Sequence, residues 1–187
     1  MTRMALLLAL LVAPGAALAH AATTGGLVSG LSHPVLGLDH VVAMVAVGLW
    51  GAILGRPALW MLPVAFPLVM ATGGVLGILG VPLPGVETAI ALSGMALGLL
   101  VAFMVRLPIA LACGIVGVFA LFHGYAHGTE LPASANPLAF ATGFVTSTGL
   151  LHLVGVGLGG LVRGRPVLRM LGAGIALTGG AFLAGLA

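Results

Sequence analysis

The stretch LSHPVLGLDHVVAM, residues 31–44, places His33, Asp39 and His40 at one end of an apolar run, and FHGYAHGTE, residues 122–130, places His123, His127 and Glu130 at the end of another. Imidazole nitrogen and carboxylate oxygen are donor types that hold divalent transition-metal ions. His123 and His127 are four residues apart, one helical turn or about 6 Å, a spacing at which two imidazoles can grip one ion. Glu130 extends the same face. If a helix opens at Pro34, then His33, His40 and Met44 share a stripe, because seven and four residues are close to whole turns. Gly37, Gly124 and Gly128 flank these groups and remove side-chain bulk, so two ligand-bearing helices can approach closely. The C-terminal end of the second helix carries partial negative charge, which favours a cation there.

In a soluble protein, hydrogen-bonded core histidines would be the better reading of such a pair. This chain is not of that kind. Of its 187 residues, six are Lys or Arg and three are Asp or Glu, 61% are hydrophobic, and the mean hydropathy is +1.31; a soluble domain carries about 25% charged residues. The composition is that of an integral membrane protein, where a buried ionisable group costs roughly 2.5–3.5 kcal/mol near the centre of a span and usually marks an ion or proton path. His123 and His127 therefore read as metal ligands. Asp39 either ligates through an oxygen or accepts a hydrogen bond that orients a histidine ring, and the residues leave both open.

Four further positions have weaker claims. Met44 offers a thioether, although methionine more often fills gaps in a core. Glu87 opens the third apolar run, on the side where the histidines gather. His152 lies past the middle of the fifth run, one turn after Thr148 and near Thr146 and Ser147, so it is either a packing histidine bonded to a hydroxyl or a relay ligand on an inward path. His20 would offer an amine and an imidazole together if the chain is cut before it. The sequence pI near 10.6 comes from arginines scattered along the chain, with no basic stripe of the kind nucleic acid requires. Cys113 is the lone cysteine, which excludes an internal disulfide.

The elements that must position these groups are helices. Residues 1–19 have the grammar of a cleavable signal peptide: Arg3, an apolar run from Ala5 to Val12, a Pro14-Gly15 break and Ala17-Leu18-Ala19 before His20. Residues 20–187 then form one domain, an all-α polytopic helical bundle. Six apolar runs approach the ~20 residues a crossing needs: 34–54, 58–80, 86–105, 107–126, 137–162 and 167–186. Short Pro- and Gly-rich connections separate them. Arg56, Arg106, Arg163, Arg165 and Arg169 fall in alternate connections, so the positive-inside tendency predicts a multi-pass protein of the bacterial inner membrane with both mature termini periplasmic. Four pairs with G-x-x-x-G spacing, Gly51 and Gly55, Gly73 and Gly77, Gly94 and Gly98, Gly155 and Gly159, predict close helix packing.

HPVLGLDH, an H-x5-D-H arrangement in the first mature run, together with FHGYAHGTE in the fourth, resembles the HupE/UreJ family of nickel permeases. The likeness extends over nearly the whole mature chain in the number of runs and the positions of both motifs. His33, Asp39 and His40 match the first motif, and His123, His127 and Glu130 the second; His20, Met44, Glu87 and His152 belong to neither. The resemblance implies secondary uptake of Ni2+, or Co2+, as a transported substrate, with no permanently bound cofactor and no enzymatic activity. Two other readings compete. One is an intramembrane metal-dependent hydrolase with zinc on His40, His123 and His127, although the H-E-x-x-H glutamate is missing. The other is a sensor or accessory protein that binds metal without moving it.

Overall fold

The computed structural model describes residues 26–131, 136–162 and 164–186. The expected signal peptide, His20 and Arg163 lie outside the described residues. Among those described, every regular element is a helix: α1 (Leu27–Leu36), α2 (Leu38–Leu54), α3 (Ala58–Ile78), α4 (Val86–Ala102), α5 (Ile109–Thr129), α6 (Pro137–Leu161) and α7 (Arg165–Leu183). Four of them, α3, α5, α6 and α7, are long and apolar enough to cross a membrane. The pair α1 and α2 passes that test only together, and α4, at 17 residues, is apolar but short.

The expected first run, 34–54, does not form a single helix. Gly37 takes an extended conformation, φ −91° and ψ 111°, that ends α1 and begins α2. The two axes meet at 83°. Pro34 lies inside α1 and lacks the N–H that would close its turn, so the segment before Gly37 is already weakened as a helix. A helix opening at Pro34 with His33, His40 and Met44 on one stripe is therefore corrected. Met44 is fully buried in the apolar core beside Trp50, Leu62 and Phe66.

Helices that carry so few polar groups are held together by backbone approach. α3 and α5 run side by side in the same direction, and a Cβ on Gly73 would collide with the Leu121 carbonyl, just as one on Gly124 would collide with that of Met70. α2 and α6 repeat the arrangement: Gly48 sits against the His152 carbonyl and Gly155 against that of Val45. α4 and α7 meet antiparallel through Gly94 and Gly98 on one side and Gly172 and Gly179 on the other. Three of the four expected glycine pairs are thus packing contacts. The fourth is not, because Gly55 caps α2 at φ +80° with nothing within 4 Å of where its Cβ would be.

The far end of α2 is pinned as well. The Trp50 indole N–H donates to the Val105 carbonyl at 2.9 Å, joining α2 to the α4–α5 connection. α2 begins, α5 ends and α6 begins at one face of the bundle, while Arg56, Arg106 and Arg165 lie toward the opposite face.

Gly73→Leu should destabilise the α3–α5 pair by about 1–3 kcal/mol, the usual cost of overpacking. Gly114→Leu, whose Cβ meets nothing within 4 Å, is the control and should leave the melting temperature in detergent nearly unchanged. Equal melting of the two variants would show that backbone approach is not what holds these helices.

Candidate metal site

The bend at Gly37 brings His33, on α1, and His40, on α2, back toward each other, with ring centroids 6.3 Å apart. α5 supplies His123 and His127 from its last two turns, and Glu130 caps it. The rings of His33 and His127 lie 4.7 Å apart, those of His127 and His40 4.5 Å, and those of His40 and His123 5.2 Å. Four imidazoles from three helices therefore form one continuous column. Its outer end is Glu130, whose Oε2 lies 3.5 Å from His33 Nε2 and 3.8 Å from His127 Nδ1. Donor atoms of His33, His127 and Glu130 all fall within 4.8 Å of one another.

Exposure falls along the column. The side chains of Glu130 and His33 are 56% and 37% exposed, those of His127 and His40 are 5% and 10%, and His123 is fully buried. Glu130 and His33 form the polar entrance. A cavity of about 370 Å³ between α3, α5 and α6 also touches His127, but Met70, Val75, Leu138, Phe140 and Phe144 make its walls apolar.

Two of the rings have their protons assigned by their neighbours. His40 Nδ1 lies 2.8 Å from Asp39 Oδ1, and an ionised carboxylate only accepts, so the proton sits on His40 Nδ1. His123 Nδ1 lies 2.9 Å from the Phe119 carbonyl, which imposes the same tautomer. In the neutral ring each hydrogen bond leaves Nε2 with a bare lone pair, and both Nε2 atoms are buried with no protein partner. His127 is buried with neither nitrogen hydrogen-bonded to protein. A buried imidazole held through one nitrogen and open at the other is arranged as a metal ligand is. Asp39, for which both roles were open, holds the His40 ring through this hydrogen bond. Gly37 protects the arrangement, since a Cβ there would come within 2.9 Å of Asp39 Oδ1 and 3.0 Å of His40 Nδ1.

The remaining expected residues are placed differently. Glu87 is exposed in the first turn of α4 and joins neither the column nor any ion pair among the described residues. His152 is fully buried on α6, and the Phe66 ring lies between it and the column, with centroids 5.6 Å from His123 and 5.2 Å from His152. Thr146 is exposed and bonded to the Thr142 carbonyl, so it does not serve His152. Sequence reasoning missed Phe66, and also Phe144, whose ring packs 4.1 Å from that of His127. The signal for Phe66 was its place between Pro63 and Pro67, where the helix backbone is short of donors.

Residues 8–182 match the family described as HupE / UreJ protein. A protein named HupE from Rhizobium leguminosarum bv. viciae is 50% identical over 182 residues, covering 95% of each chain. No solved structure matches the chain. Its long apolar helices are those of a multi-pass membrane protein. The chain belongs to the HupE/UreJ family, a transporter family associated with nickel and cobalt, and not to a family of hydrolases.

Proposed function

We propose that this chain is a secondary permease that takes up Ni2+, or Co2+, across the bacterial cytoplasmic membrane, capturing the ion at the face where α5 ends and α6 begins. The observation that carries the reading is the pair of buried Nε2 lone pairs on His40 and His123, in a column opened to solvent by Glu130 and His33. His33, Asp39, His40, His123, His127 and Glu130 make up the capture site. Glu130 and His33 meet the hydrated ion first. His127, His40 and His123 then replace its water one ligand at a time, and Asp39 keeps the His40 ring turned the right way. Glu87 is exposed in the first turn of α4 and takes no part in the column.

In this proposal α2 to α7 make six crossings, and α1 is an additional short helix laid against α6. The 17 residues of α2 and of α4 span about 25 Å each, short of the ~30 Å hydrocarbon core but near enough for local thinning to cover the difference. Arg56, Arg106, Arg165 and Arg169 then lie toward the cytoplasm, which puts the capture face in the periplasm. The chain has no nucleotide-binding loop of the G-x-x-x-x-G-K-[ST] type. Moving two charges through about 100 mV releases roughly 4.6 kcal/mol, enough for accumulation of some thousandfold.

His40→Ala and His123→Ala should each lower radiolabelled nickel uptake by at least about tenfold while the purified protein stays monodisperse. Asp39→Ala should weaken nickel binding by about 10–100-fold, the usual loss when a group orienting a ligand is removed. Normal uptake in all three variants would place the site elsewhere. Nickel capture should also weaken in acid, because protonated imidazole has no lone pair to give. Uptake that is unchanged at pH 5 would count against histidine ligation. Uptake of zinc with neither nickel nor cobalt would refute the metal assignment, and binding without flux into proteoliposomes would make the chain a sensor.

A further inference from the structure

Beyond the column the chain buries a second set of polar atoms that the capture site does not use. Thr148 and His152 are one turn apart on α6, hence on one face, and both are fully buried. Neither nitrogen of His152 has a protein hydrogen-bond partner, and neither does the Thr148 hydroxyl.

The threonine is the more telling of the two. Elsewhere in the bundle a helical threonine satisfies itself by donating to the carbonyl four residues back, as Thr142 does to Leu138, Thr146 to Thr142 and Thr178 to Gly174, at 2.7–3.0 Å. Thr148 is more deeply buried than these and still leaves that bond unmade. A buried polar group left without a partner costs about 1–3 kcal/mol. Three such atoms on one face of one helix are a built feature.

α3 adds a third donor from across the gap. Pro67 has no N–H to give to the Pro63 carbonyl four residues before it. That carbonyl faces the His152 ring without forming a hydrogen bond to it. The Phe66 ring, from the same turn of α3, stands between this group and His123.

We infer that His152 and Thr148, with the Pro63 carbonyl, form a second and inner binding station for the divalent cation, separated from the capture column by the Phe66 ring. The proposal rests on the permease reading and deepens it. Its donors are one imidazole, one hydroxyl and one carbonyl, a nitrogen and oxygen set suited to a borderline ion. None of them carries negative charge, whereas the outer column has Glu130 and Asp39. The inner station therefore holds the ion more weakly than the column does. That order suits release toward the cytoplasm, since a permeating ion must be bound strongly enough to enter and weakly enough to leave.

The test uses the full-length protein, with nickel alone as the probe, in two measurements: equilibrium binding to purified protein, and flux into proteoliposomes under an inside-negative potential. The wild type should bind one tight and one weaker equivalent. Thr148→Val, which keeps the volume, and His152→Gln should abolish the weaker equivalent, leave the tight one within about twofold and lower flux by at least about tenfold. Thr148→Ser retains the hydroxyl and should behave as the wild type. A single equivalent in the wild type, or a weaker equivalent and a flux that survive both Thr148→Val and His152→Gln, would overturn the inner station, leaving those atoms to bind water. Two equivalents that respond to the variants in a protein with no flux would uphold the station and sink the permease reading instead.

Discussion

Backbone contact at glycine is the constraint on which the rest of this structure depends. Inside a bilayer, lipid is as apolar as leucine, so burial of side chains does not pull helices together and close packing has to do so. α3 meets α5 at Gly73 and Gly124, and α2 meets α6 at Gly48 and Gly155, in each case with a carbonyl where a Cβ would otherwise stand. The axes are consequently drawn in far enough that the histidines of α1, α2 and α5 meet edge to face or at a tilt, with successive ring centroids 4.5–5.2 Å apart. A larger residue at any of these contacts would move a ligand-bearing helix outward by the width of the added group.

Within that frame the polarity is graded. The column carries two carboxylates, Glu130 at its exposed end and Asp39 beside His40, the third of its four rings, whereas none stands with Thr148 and His152 beyond the Phe66 ring. On the permease reading, a divalent cation is attracted by the first set of groups and held more weakly by the second. Between the two stands Phe66, an aromatic ring with no formal charge and no lone pair to offer. For a transporter of the HupE/UreJ family the arrangement fits a cargo that is to be taken in and then given up.

The hydrogen bonds that orient the rings are inexpensive and local. Asp39 is the neighbour of His40 in sequence, and Phe119 lies one turn before His123, so each imidazole is fixed by its own helix. Only the open nitrogens depend on other helices for their surroundings. Orientation within a helix and convergence between helices are thus separate problems, solved by different parts of the chain.

That separation explains how much was legible before any coordinates. Composition, arginine spacing and proline punctuation dictate an apolar helical bundle, because lipid admits only helices or closed barrels and apolar runs of about 20 residues are of helix length, not strand length. Local spacing likewise placed His123, His127 and Glu130 on one end of one helix. Gly37 was legible as a place of low bulk but not as an 83° bend, since a helix and a break differ there by a free energy that tertiary packing decides. Which glycine pairs make contact, the isolation of Glu87 and the position of Phe66 between His123 and His152 were likewise beyond the one-dimensional pattern. Each is a relation between atoms of different helices, or between a ring and the space beside it, and periodicity along one helix carries no information about the rotation and depth of the next.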